Sequence, residues 1–147
     1  RAIGNRLFFV ANDGVHGNEL WKSDGTSAGT LMVKDIAPGD TSGLDTKPSS
    51  LSVLNGKATF FANDLTLGKQ LWVSDGSGAG TIMLNVNWPG GAPSNPGGLT
   101  RELGSNVFFA ESGDLWKTDG TAAGTVLLKA MQSNSLYAQY GAVTAGG

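Results

Sequence analysis

Six carboxylates recur along this chain and are its first candidates for chemistry. Asp24, Asp75 and Asp119 each precede a glycine, Asp13 and Asp64 follow asparagine in VAND and FAND, and Glu111 closes FFAE. Acids that converge could act as a pair across a glycosidic bond, hold Ca²⁺ together with carbonyls, or accept hydrogen bonds from a sugar. His16 is the only histidine and there are no cysteines. No disulfide framework or thiolate zinc site is therefore possible, and a Ser-His-Asp set has a single histidine to draw on. A lone histidine is also a poor basis for a metal site, so none is expected. Trp88, in the Gly/Pro-rich link NVNWPGGAPSNPGG, and Tyr137, in the corresponding later link, are the aromatic candidates. Each could cover the edge of a core or stand exposed as a platform for a sugar or a partner.

These residues are positioned by a repeat. Leu-Trp-x-(Ser/Thr)-Asp-Gly-(Thr/Ser)-x-Ala-Gly-Thr occurs three times, from Leu20, Leu71 and Leu115. Self-similarity at this spacing marks one supersecondary unit stacked on copies of itself. Each copy divides into four short strands. The middle one reads LSVLN, ATFFAN, KQLWVS and TIMLNV; the third reads LTREL, NVFFAE, GDLWKT and TVLLKA. The first begins with the stump Arg1–Ile3 and continues as RLFFVA, NELWKS and TLMVKD. Paired phenylalanines such as Phe60-Phe61 put an apolar side chain on both faces of a strand, as in a sheet covered on both sides. The expected fold is all-β, with three four-stranded antiparallel repeats arranged as β-propeller blades. The blades span about 1–40, 49–90 and 97–133, with a tail strand at about 140–147, all within one domain.

Spacing separates the two ends of such a blade. From turn glycine to first phenylalanine the step is 4 in every copy, and from tryptophan to the second motif glycine it is 8. From second phenylalanine to tryptophan it is 12, 11 and 7. One end is fixed in length and the other varies, and varying loops on a rigid frame are where binding usually resides. On that end lie Asp13, His16, Asp64, Trp88, Glu111 and Tyr137, the candidate ligand contacts. Asp24-Gly25, Asp75-Gly76 and Asp119-Gly120 read instead as structural turns, with Gly supplying positive φ and Asp bonding local amides. The second glycine (Gly29, Gly80, Gly124) is expected to supply another positive-φ position or a bulge.

The strings NELWKSDGTSAGTLMVKDI, QLWVSDGSGAGTIML and DLWKTDGTAAGTVLL resemble the ELWxxDGT repeat of bacterial secreted and cell-surface proteins. The resemblance covers nearly the whole chain and implies a propeller-like fold and an extracellular or cell-surface setting, with no established catalytic residues. Gln70 and Asp114 depart from the leading Glu, and Ser77 from the Thr. The turn is also similar to the Asp-box hairpin of sialidase propellers, but it lacks the intervening residue and trailing aromatic, so that chemistry is not implied.

Composition excludes other classes. Charged residues are 15% and the net charge is −2, which gives no footprint for a nucleic-acid backbone. No apolar run approaches bilayer-spanning length. The chain begins at Arg1 and reads as a piece of something longer. Three blades are too few for closed propellers, which typically have four to eight. The tail Ala142-Val143-Thr144 could complete a neighbouring chain in a six-bladed homodimer, or the chain could be a slice of a larger ring. The resulting expectation is a non-enzymatic recognition or assembly module, lectin-like in its sharper form and without a cofactor, although Ca²⁺ is a possible ligand. A glycan or surface protein is the expected partner. The alternatives are a propeller-type glycoside hydrolase fragment and a structural filament subunit.

Overall fold

A computed structural model of the chain describes residues 1–39, 51–84, 86, 88, 100–111 and 113–131. Within them the chain forms strands and no helix. The strands are β1 (Ala2–Ile3), β2 (Arg6–Asn12), β3 (Asn18–Ser23) and β4 (Leu31–Lys34) in the first sheet. The middle sheet holds β5 (Ser52–Leu54), β6 (Lys57–Asn63), β7 (Lys69–Ser74) and β8 (Ile82–Met83), and the third β9 (Thr100–Leu103), β10 (Asn106–Glu111), β11 (Asp114–Thr118) and β12 (Val126–Lys129). Each is an antiparallel meander in chain order, and the three do not close on one another. The expected strands are present. The last strand of the middle sheet is shorter than TIMLNV suggests, although Leu84 N–H still donates to Leu71 O at 2.8 Å. The tail 140–147 lies outside the described residues.

Pairing between the second and third strands defines two faces on every sheet. Phe9 pairs with Trp21, Phe60 with Trp72 and Phe109 with Trp116. Paired residues project to the same side of a sheet, so one face of each carries Phe and Trp. The other carries the motif leucine, through the pairs Val10–Leu20, Phe61–Leu71 and Ala110–Leu115. These pairs correct the register that the constant glycine-to-phenylalanine step suggests. The aromatic beside Trp is the second phenylalanine in the outer sheets but the first, Phe60, in the middle sheet.

The slip originates in the first turn. Gly4 (φ 59°) and Gly104 (φ 58°) are the first of two turn residues, while the middle sheet turns through Asn55 (φ 51°) and Gly56 (φ 75°). Two positive φ angles in succession demand Asn-Gly, whereas a turn with one needs Gly only at its first position. Moving Gly to the second position shifts every following side chain to the opposite face.

The sheets stack through unlike faces. The Leu face of the first sheet (Phe8, Leu20, Val33) packs on the Trp face of the middle one (Ala58, Phe60, Ala62, Trp72), with Ile36 and Leu51 at the margins. The Leu face of the middle sheet (Phe61, Leu71, Val73, Leu84) meets Phe109 and Trp116 of the third. Among the described residues, only the middle sheet is covered on both sides. Polar ties follow the same order: Lys22 Nζ donates to Gly76 O at 2.6 Å and Lys34 Nζ to Thr81 O at 3.0 Å. Lys34 Nζ also lies 5.5 Å from the Trp72 ring centroid, a cation–π geometry. Arg1 Nε donates to Leu51 O, and Val53 N–H to Glu102 Oε1.

Candidate functional site

The Asp-Gly turns come first, because they are the most regular concentration of polar atoms. In the first sheet Thr26 donates to Asp24 Oδ1 through both its amide (2.9 Å) and its hydroxyl (2.7 Å). Gly29 N–H donates to the same hydroxyl. Thr30 Oγ1 donates to Thr26 O, and since a hydroxyl carries one proton, Ser23 must donate to Thr30. Ser23 Oγ in turn accepts from Gly25 N–H. The result is a relay: Gly25 amide, Ser23, Thr30, then Thr26 carbonyl. The middle sheet repeats it through Gly76, Ser74, Thr81 and Ser77, and the third through Gly120, Thr118, Thr125 and Thr121.

The Ser/Thr, Asp and Thr side chains of the motif are thereby engaged in holding a bend. Hydroxyl and amide donors hold Asp24, Asp75 and Asp119 below the usual carboxylate range. Each is fastened within its own turn, as structural turn residues should be. The second glycine has a different reason from the expected one. Gly29, Gly80 and Gly124 are absent from the positive-φ positions, and a Cβ on any of them would fall inside the Asp24, Asp75 or Asp119 carboxylate. They are glycine for space.

The leading acid of each motif has a structural partner too. Glu19 Oε1 accepts from Ala37 N–H, Gln70 Oε1 from Trp88 Nε1–H, and Asp114 Oδ1 from Met131 N–H. In all three sheets this side chain ties down the segment after the fourth strand. Sequence reasoning missed this, although a signal was present: the varying residue, Glu, Gln or Asp, always retains a carbonyl or carboxylate oxygen. Its partner lies 18, 18 and 17 residues ahead.

Trp88 is not an exposed platform. It is 8% exposed, lies 4.9 Å from Trp116 and 6.2 Å from Phe109 between ring centroids, and donates to Gln70. A Trp in a Gly/Pro link covers the core edge here because its one polar atom finds an acceptor. Glu111 is also buried, directly across from Asp114 on β10 and β11, and does not stand on the surface as a ligand acid would. Tyr137 lies outside the described residues.

The remaining candidates, Asp13, His16 and Asp64, occupy the loops between the second and third strands. Asp13 Oδ1 accepts from the Val15 and His16 amides, and Asp64 Oδ1 from those of Thr66 and Leu67. Asn12 and Asn63 brace the same loops through Gly14 and Leu65. These are Asx turns, the local bonding that favours Asn and Asp in loops. Leu65 adopts φ 65° at the tip, unusual for a branched residue and held there by these bonds. Asp13 Oδ2 also lies 2.7 Å from His16 Nδ1. His16 and the loop amides lower the Asp13 carboxyl to about 2, and Asp13 raises His16. Among the described residues no three His, Asp or Glu side chains gather as a metal-holding group. In the third sheet Glu111 and Asp114 pair directly across β10 and β11, and the sequence between them has no Asn-Asp step like Asn12-Asp13 or Asn63-Asp64.

The molecule is thus an all-β repeat scaffold in which most of the recurring acids have internal partners. Comparison with family models, curated proteins and solved structures finds no match to this chain.

Proposed function

We propose that the chain is a propeller-like segment acting as a non-enzymatic, extracellular recognition module, with its contacts on the loops between second and third strands. One observation carries this reading: on an otherwise repeated frame the loops Asn12–Asn18 and Asn63–Lys69 match in length but differ in content and display apolar side chains at fixed tips, while the third is cut short between Glu111 and Asp114. Val15 is 63% exposed, Leu65 50% and Leu67 53%. Asx bonds hold the backbone beneath each tip, which limits the ordering cost on binding. The partner is a cell-surface glycan or a surface protein. Trp88 and Glu111 are left out of the contact set because both are buried.

The test is an immobilised glycan array, and beside it a pull-down of surface proteins, using wild type and a Val15→Asp/Leu65→Asp/Leu67→Asp variant. Binding by the wild type that the variant loses, with urea midpoints unchanged, is the expected result. A folded wild type that binds nothing on either arm would overturn the proposal. Turnover of a glycoside substrate would replace it with the hydrolase reading.

A further inference from the structure

Equivalent positions in the three sheets are buried twice and uncovered once. On the Leu face, Val33 is 8% exposed and Leu84 5%, whereas Leu128, at the matching place on β12, is 43% exposed. On the Trp face, Trp72 and Trp116 are buried and Trp21 is only half-buried. The turns show the same asymmetry. A Cβ on Gly76 would meet Phe8 of the preceding sheet, and one on Gly120 would meet Leu54, whereas one on Gly25 would meet nothing within 4 Å. Among the described residues, the first sheet has no neighbour on its Trp face, and the third has none on its Leu face.

The uncovered Leu face is also a copy of one already engaged. Phe108 pairs with Lys117 as Phe8 pairs with Lys22, and Leu115 with Lys129 as Leu20 with Lys34. In the first sheet those two lysines donate to Gly76 O and Thr81 O of the middle sheet, and Lys34 also lies over Trp72. The middle sheet has Val73 in place of Lys22. The uncovered Trp face offers the matching acceptors: Phe9, Trp21 and Met32 stand where Phe60, Trp72 and Met83 stand in the engaged one. Gly25 and Thr30 likewise stand where Gly76 and Thr81 do. Residues 132–147 contain no fourth Leu-Trp-x-(Ser/Thr)-Asp-Gly copy.

We propose that the third sheet's Leu face docks on the first sheet's Trp face of a second copy of this chain. Lys117 and Lys129 then donate to the carbonyls of the partner's Gly25 and Thr30, and Lys129 lies over the partner's Trp21. The joint is heterologous, since each copy contributes a different surface. Two such joints close two chains into a two-fold ring of six sheets, a number within the range of closed propellers. This inference rests on the stacking order alone, so a failure of the loop-binding proposal leaves it standing.

Sedimentation equilibrium tests it. Wild type is expected at twice the chain mass. Lys117→Glu/Lys129→Glu and, separately, Trp21→Glu/Met32→Glu are expected at the single-chain mass, with circular dichroism showing that both fold. Mixed together, the two variants should pair one to one, because each retains the face that the other has lost. Lys22→Glu, which faces the middle sheet inside the chain, should lower the urea midpoint. A wild type that stays single at every concentration overturns the proposal, as does a dimer that ignores both blocking variants or a mixture that fails to pair. Longer multiples that both variants abolish would keep the joint and overturn the closed ring.

Discussion

At the residue scale, the motif is a set of mutually dependent polar atoms, and that dependence can be measured. Thr81 is fully buried, and its hydroxyl accepts from Ser74 while donating to Ser77 O. Thr81→Val keeps the shape but leaves the buried Ser74 hydroxyl without its acceptor and Ser77 O without its donor, at a cost of about 1–3 kcal/mol. Thr81→Ser keeps the hydroxyl and should lose much less, and urea unfolding of the pair separates the relay from simple packing. Gly80→Ala drives a methyl into the Asp75 carboxylate and should destabilise by on the order of 1–3 kcal/mol. In an Asp75→Ala background the same change should be nearly neutral, because the obstructing group is gone; equal costs in both backgrounds would refute a space-limited glycine. The His16–Asp13 pair sets a pH window. His16 is raised, so its contribution is full below the ordinary histidine value of about 6.5 and fades as pH rises through the folded value. Asp13 is lowered to about 2, so its contribution is full above the ordinary value of about 3.9 and is lost as pH falls toward 2. Loop order should therefore plateau between about pH 4 and 6.5. Asp13→Asn should bring the His16 titration, followed by NMR, back down toward its ordinary position, and an unmoved midpoint would dismiss the pair.

At the element scale, each sheet has a fastening that its own strands do not supply. Gln70 accepts from buried Trp88 and so pins the link after β8 to β7. Trp88→Ala should cost about 3–5 kcal/mol through the lost ring packing. Gln70→Met leaves the indole N–H without an acceptor and should cost about 1–3 kcal/mol. If Gln70→Met proves neutral in urea unfolding, the fastening role is wrong. These fastenings also mark where sequence reading stops. The four-strand order was legible because Phe-Phe runs and Leu-Trp runs alternate with Gly-containing turns, and Asp24 as a bend residue followed from Ser-Asp-Gly-Thr alone. The register of β6 was not legible. Gly4-Asn5 and Asn55-Gly56 place their glycine at different turn positions, so counting from Gly aligned Phe60 with Phe8 rather than with Phe9. The burial of Trp88 depended on a long-range partner, Gln70, whose substitution for Glu read as mere variation. The reason for Gly29 was equally hidden, since space and positive φ select the same residue.

At the scale of the whole molecule, stability should be graded from the centre outward. The middle sheet has one apolar cluster on each face: Phe60 and Trp72 belong to the one shared with the first sheet, Phe61 and Leu71 to the one shared with the third. Opening β6 or β7 therefore disrupts both clusters at once, so their amides should exchange only through global unfolding. By contrast β12 is exposed along its whole length and β1 has two residues, so both can open locally. Hydrogen exchange followed by mass spectrometry should thus find β6 and β7 slowest, β2, β3, β10 and β11 intermediate, and β1 and β12 fastest. The same measurement reads the proposed joint between copies. Docking covers Leu128 and ties down Lys129, so β12 should gain protection as concentration rises, while β6 and β7, already covered on both faces, should not change. Protection that rises evenly across all three sheets would point to nonspecific association. A β12 as slow as β7 in a dilute single chain would contradict the outward gradient, because exposed backbone without a covering sheet has nothing to hold it closed.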